Sequence, residues 1–269
     1  MSADLDFALA LADEADALSL PRFRAVDLRV ETKPDLTPVT DADRAVERAL
    51  RERIARERPG ETVLGEEEGD EGGPPAAVGG RSSRPGVGGV AADASSPVRW
   101  ILDPIDGTKN FSRGIPVWAS LIALERDGIV VCGVASAPAL GHRWWAARGQ
   151  GAYRDGERLA VSKIARLEEA TVSFSRSGLR DPRTIALALA AWHAQPFSDF
   201  WAHLLVAEGG VDVAAEHVMN TWDNAVLQVI VEEAGGRFTD LAGSSRIDGG
   251  SAVSTNGLLH DEVLARLTA

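Results

Sequence analysis

The chain of 269 residues has a single cysteine, Cys132. An internal disulfide is excluded, and a reducing, cytoplasmic setting is expected. No run approaches ~18 consecutive apolar residues, so no membrane span is expected. The first residues carry Asp4 and Asp6 instead of basic residues before an apolar run, which predicts no signal peptide. Paired cysteines and an HExxH pattern are missing, which argues against zinc. No GxSxG occurs, so a nucleophilic serine of that type is unsupported. Positive charge is in the minority, and the net charge is −12. Nonspecific nucleic-acid binding, which needs phosphate neutralisation, is therefore disfavoured. A phosphate-bearing substrate stays open, because bound cations reverse the local sign. Lysine is rare: of 28 basic residues only Lys33, Lys109 and Lys163 are lysine, and the first two lie in segments singled out below. No repeat of 20–50 residues is evident.

What is present is an ordinary globular composition, 45% hydrophobic and 25% charged. The length suits one domain with a substantial core. Leu5, Ala8, Leu9, Ala12 and Ala15 share one face of a first helix. Thr40 or Asp41 is placed to cap a second, with Ala42, Ala45, Val46, Ala49, Leu50 and Ile54 as its apolar stripe. "TKPDLTP" between them reads as a turn-rich connector. Residues 69–98 are rich in Gly, Pro, Ser and Ala and read as a mobile loop.

From Trp100 the pattern turns strand-like, with a hairpin at Arg126-Asp127-Gly128. Strands then alternate with helices, one capped by Asp181-Pro182 and one at Thr221. The expectation is an α/β fold with mixed sheets, one domain over 1–269 in two halves, roughly 1–155 and 156–269. Trp144-Trp145 reads as packing or a dimer contact. The five histidines have no ligand spacing.

The acids carry the chemistry. Glu66, Glu67 and Glu68 form one cluster, Asp103 and Asp106 in "WILDPIDGTKNF" a second, and Asp223 opens a predicted helix. Folded together they would repel and raise each other's pKa. A hard divalent cation such as Mg²⁺, which takes oxygen ligands and phosphate oxygens, resolves that. Gly107-Thr108 directly after Asp106 allows close backbone approach to an anion.

"GEE" at Gly65–Glu67, "DPIDGTKNF" at Asp103–Phe111 and "WDNAVLQVIVEEAGG" at Trp222–Gly236 resemble the signatures of the inositol-monophosphatase superfamily. The resemblance runs from the first helix to the last. It implies a layered α-β-α-β-α fold, a homodimer, and a lithium-sensitive phosphomonoesterase using two to three Mg²⁺. It implies Glu66, Asp103, the Ile105 carbonyl, Asp106 and Asp223 as metal ligands. Gly107 and Thr108 would meet the phosphate, alongside Asp106 and Asp223. Thr108, supported by Asp41, would activate water together with Glu66. Lys33 would lie in a loop covering the site, and Glu216 would contact the leaving group.

"DLRVETKPDLTPVTDADRAVE", "RWWAARG" and "LVAEGGVDVAAE" are most similar to the histidinol-phosphatase branch. That substrate carries an ammonium and an imidazole, with which Glu216 and Asp199 can pair. Gln195 and Ser198 stand where the superfamily usually has arginine and glycine. The alternatives are another small phosphomonoester, such as inositol monophosphate, fructose bisphosphate or a 3′-phosphoadenosine nucleotide, and a non-catalytic partner-binding protein.

Overall fold

The computed structural model describes residues 2–34, 36–70 and 98–268. Most of the expected mobile loop over 69–98 lies outside the described residues. The helices are α1 (Ala3–Ser19), α2 (Asp41–Glu57), α3 (Thr108–Ser112), α4 (Pro182–Ala190), α5 (Asp199–Ala207), α6 (Thr221–Glu233) and α7 (His260–Thr268). In the first half the strands are β1 (Val30–Thr32), β2 (Pro38–Thr40), β3 (Thr62–Gly65), β4 (Gly69–Asp70), β5 (Val98–Asp106), β6 (Ala119–Arg126), β7 (Ile129–Ala137), β8 (His142–Ala147), β9 (Gly151–Arg154) and β10 (Glu157–Arg158). In the second they are β11 (Thr171–Phe174), β12 (His193–Ala194), β13 (Val213–Glu216), β14 (Arg237–Thr239) and β15 (Ala252–Thr255).

Two large sheets organise the described residues. The first has the order β10-β9-β8-β7-β6-β5-β3-β4 and the second β12-β11-β13-β15-β14. Most neighbours are antiparallel, but β3 runs parallel to β5, and β11 parallel to β12 and β13. Three apolar cores set the layers. Leu5, Leu11, Val46 and Leu50 of α1 and α2 pack on Trp100, Ile122 and Val134 of the first sheet. Its other face meets Phe200, Leu204, Val226 and Ile230 of α5 and α6. The second sheet closes the far side of α6, and Leu187 and Val263 of α4 and α7 cover its outer face. The order is α-β-α-β-α, as the resemblance implied.

The position of α6 explains its sequence. Asn224 to Val231 are all buried, because sheets press on both sides and leave no polar stripe. Gly133 of β7 permits this approach: a Cβ there would sit 3.1 Å from Val229 Cγ1 and 3.3 Å from Val226 Cα.

The hairpin expected at Arg126-Asp127-Gly128 forms, with φ of 51° at Asp127 and 78° at Gly128, the left-handed pair a tight hairpin needs. Three local expectations change. "TKPDLTP" is not a simple connector, since β1 and β2 pair around it as an antiparallel ribbon. The residue capping α6 is Asn220, one before Thr221. On α2, Ala45 is exposed and Ala49 half-buried, whereas Asp43, Glu47 and Arg51 are buried beside Val46 and Leu50. Alternation rules count charged residues as solvent-facing, and here three of them have buried partners.

Candidate active site

Two acids three residues apart on a regular strand point to opposite faces. The pairing of β5 with β6 avoids this. Its register shifts between Asp103 and Asp106, around Pro104. Both carboxylates therefore reach one place, and an oxygen of each lies within 4.8 Å of an oxygen of Asp223. Asp223 arrives from the first turn of α6, where its Oδ2 accepts the Asn220 backbone N–H at 2.7 Å. Asp106 Oδ2 accepts the Phe200 N–H at 2.6 Å, at the start of α5. Glu66 is brought alongside by the parallel β3–β5 pairing, and its N–H donates to Leu102 O at 3.2 Å.

The cluster is electrostatically uncomfortable. Burial, then Glu66, Asp106 and Asp223, push the Asp103 carboxyl well above the usual carboxylate range. Burial, Asp199 and Asp223 do the same to Asp106. Asp223 is raised too, chiefly by burial. The donors are all hard carboxylate oxygens, with neither thiolate nor imidazole among them. That set fits a hard divalent cation, which would remove the repulsion.

These acids line an open cavity with Ile105, Gly107, Thr108 and Asp199. Gly107 takes φ of 83°, and a Cβ there would meet Val117 O at 3.0 Å, so glycine is required at this corner. Thr108 Oγ1 lies 2.9 Å from Ile105 O and 3.1 Å from Asp43 Oδ1. Its single proton serves one of them at a time.

The expected Thr108–Asp41 pair is not formed. Asp41 Oδ2 instead accepts from Arg22 Nη2 at 2.9 Å. Asp43 holds the place beside Thr108, with its other oxygen accepting the Thr40 N–H at 2.8 Å. Burial raises the Asp43 carboxyl to about 6. The signal was readable: Thr40-x-x-Asp43 is a capping-box pattern, which turns the Asp43 side chain back over the start of α2.

Lys33 reaches the site from the turn of the β1–β2 ribbon. Its Nζ lies 2.8 Å from Glu66 Oε1 and 2.5 Å from Glu67 Oε1. Burial opposes its charge, but the two carboxylates outweigh that and raise its pKa. Asp199 enters the cavity at the N-terminus of α5, with φ of 57°. Glu216, at the end of β13, is not among the cavity-lining residues but feels the charges of Asp199 and Asp223. Burial comes first in raising it to about 8, and its Oε1 has no hydrogen-bond partner. The cavity also takes Thr37, Lys109 and Asn220, which the sequence reading did not assign.

The family model described as the inositol monophosphatase family matches residues 2–268. The chain belongs to that family. Within it, the chain is 54% identical to a histidinol-phosphatase of Mycobacterium tuberculosis, across 99% of this chain and 98% of the relative. It is 42% identical to a histidinol-phosphatase of Streptomyces coelicolor, across 98% and 96%. Among solved structures, a Thermotoga maritima IMPase superposes with a TM-score of 0.83 at 31% identity, covering 99% of this chain and 97% of that one. This inositol monophosphatase-family member thus shares its fold with solved relatives along nearly its whole length. Among the described residues no helix is long and apolar enough to cross a membrane.

Proposed function

We propose that this protein is a metal-dependent phosphomonoesterase that hydrolyses L-histidinol phosphate to L-histidinol and phosphate, a step of histidine biosynthesis. The observation that carries the substrate is the 54% identity, over nearly the full chain, to a histidinol-phosphatase. The buried acid Glu216 near the cavity supports it, because a cationic leaving group gives that carboxylate a partner.

In this reading Glu66, Asp103, the Ile105 carbonyl, Asp106 and Asp223 would hold Mg²⁺, two to three ions in all, with lithium as an inhibitor. When bound, the metal would supply Lewis acidity toward the phosphate and the leaving oxygen. The backbone at Gly107 and Thr108 receives a phosphate oxygen. Thr108 orients the attacking water, and Asp43 takes the proton through the Thr108 hydroxyl, with Glu66 as a second acceptor. Asp199 and Glu216 bind the ammonium and imidazole, and Lys33 holds the covering ribbon against Glu66 and Glu67. The protein acts as one catalytic unit, in the cytoplasm and as a homodimer. The half-exposed to exposed Ile185, Leu189 and Trp192 on and after α4 offer an apolar face for that dimer.

A second reading, inositol or fructose phosphate hydrolysis, is favoured by one relative. A fructose-1,6-bisphosphatase/inositol-1-monophosphatase of Thermotoga maritima is 32% identical across 97% of this chain. Phosphate release with Mg²⁺ decides between them. A preference of ~100-fold in kcat/KM for L-histidinol phosphate over myo-inositol 1-phosphate and fructose 1,6-bisphosphate, about 2.7 kcal/mol, is expected. Equal or better turnover of the other two overturns the substrate.

A further inference from the structure

A buried polar stripe runs down α2. Asp43, Glu47 and Arg51 sit four residues apart, on one helix face, with exposures of 0%, 0% and 6%. Asp43 serves Thr108. Glu47 and Arg51 have another task, legible in their hydrogen bonds.

Glu47 Oε2 accepts the backbone N–H of Glu67 at 2.8 Å. Its Oε1 accepts the N–H of Glu68 at 3.0 Å and Nε of Arg51 at 2.9 Å. Arg51 carries on to the flanks of the same turn, donating from Nη1 to Val63 O at 3.3 Å and from Nη2 to Gly69 O at 2.5 Å. Leu102 O holds the N–H of Glu66 itself. The backbone is thus fixed at Glu66 and at both residues after it. Gly65 makes room for the carboxylate: a Cβ there would lie 2.1 Å from Glu47 Oε1 and 2.8 Å from Arg51 Nη2.

A buried ion pair is weak evidence for stability, since desolvation offsets most of its Coulomb energy. What separates this pair from a simple structural bridge is where its bonds go. They converge on the three-glutamate turn and on the ends of β3 and β4 beside it.

We propose that Glu47, oriented by Arg51, is a positioning residue for Glu66. It fixes the turn so that the Glu66 carboxylate faces Asp103, and it thereby sets the affinity for the divalent cation. The proposal rests on the reading of Glu66 as a metal ligand. One helix then spaces two supports of the site by a single turn: Asp43 for the hydroxyl of Thr108, and Glu47 for the turn of Glu66.

The test is Mn²⁺ binding, followed by electron paramagnetic resonance of the free ion, on the full chain and on Glu66→Gln, Glu47→Gln and Glu47→Asp. Thermal unfolding and Mg²⁺ activation of phosphate release are measured on the same samples. Glu47→Gln puts an N–H₂ against a backbone N–H. Glu47→Asp keeps the charge and withdraws the acceptors, which separates geometry from long-range electrostatics. Partners behind metal ligands are worth ~10–100-fold in affinity. Both Glu47 variants are expected to weaken Mn²⁺ by about tenfold or more and to raise the Mg²⁺ needed for half activation in parallel, with kcat recovered at saturating Mg²⁺. Parent affinity in a folded Glu47→Asp, with loss in Glu66→Gln, overturns the positioning role alone. Parent affinity in Glu66→Gln overturns the ligand reading beneath it. If neither Glu47 variant folds, the pair is a stability element and the proposal falls.

Discussion

The carboxylate of Asp106 accepts the backbone N–H of Phe200 at 2.6 Å, across 94 residues of sequence. This bond docks the start of α5 onto the end of β5, where the first sheet meets the helix layer between the sheets. It also fixes Asp199, whose left-handed backbone, unusual for a residue other than glycine, puts its carboxyl in the cavity. The acid cluster is thus assembled from residues far apart in the chain, Asp103 and Asp106 on β5 and Asp223 on α6.

Asp43 and Asp41 should separate cleanly. Asp43→Asn removes the acceptor beside Thr108 and is expected to lower kcat by ~10²–10⁴, the usual worth of a positioned base. Asp41→Asn breaks only a partly exposed pair with Arg22, which solvent screens. Its kcat should stay near the parent's. Steady-state kinetics of the two variants is the check, and the reverse ranking would restore Asp41.

Asp103→Asn should stabilise the metal-free protein while abolishing activity. Burial and three neighbouring carboxylates disfavour the Asp103 charge, and a neutral amide of the same shape relieves that. The parent should gain about 2.7 kcal/mol when the metal stands at 100 times its Kd. Melting curves in EDTA and in Mg²⁺ report both. A variant that melts below the parent in EDTA contradicts the repulsion argument.

Glu216→Gln should change substrate choice more than basal chemistry. A charged hydrogen bond of about 1.5–3 kcal/mol would be lost with histidinol phosphate. That is a ~10–100-fold fall in its kcat/KM, with little change for a phosphomonoester lacking a cation. Competition kinetics between the two substrates measures the ratio, and an unchanged ratio removes Glu216 from the leaving-group site.

The contribution of two buried histidines to stability should fall on mild acidification, against the opposite contribution of the raised carboxylates Asp43, Glu216 and Asp223. Burial holds His203 and His260 neutral, each lowered to about 4 from an ordinary 6.5. Between those values the unfolded chain binds protons that the folded chain refuses. Each histidine's contribution is therefore full above pH ~6.5 and is lost as the pH falls towards ~4, by on the order of 3 kcal/mol per histidine. Urea unfolding of the parent and of His203→Gln at pH 7.5 and pH 5 isolates the histidine contribution as the difference between their pH dependences. Among the described residues His203 bonds to Ser254, at 2.7 Å, and His203→Gln should lose less stability than the parent between the two pH values, whereas equal changes would overturn this.

Much of the site could be read from the residues. "DPIDGT", "GEE" and "WDNA" named the acids that the fold brings to one cavity, and caps, turns and periodicity located most helices and hairpins. Where the reading failed, it failed on contacts. Asp43 was passed over for Asp41, and Glu47 and Arg51, buried on α2, were not singled out. Asn220 was missed because its tie to Asp223 is a helix-cap contact, which sequence placed one residue later.

By itself the sequence determined the kind of chemistry: an acid-rich, cysteine-poor chain whose clustered carboxylates call for a hard cation. It also set the local geometry that chemistry needs, such as glycine at position 107. Tertiary structure alone decided which acids meet. Asp41 and Asp43 are two residues apart on a helix, about 200° around its axis, so only one can face Thr108. Asp103 and Asp106 would diverge on a regular strand, and the register shift against β6 brings them together. Such choices depend on pairing and packing partners distant in the chain, and no short stretch of sequence contains them.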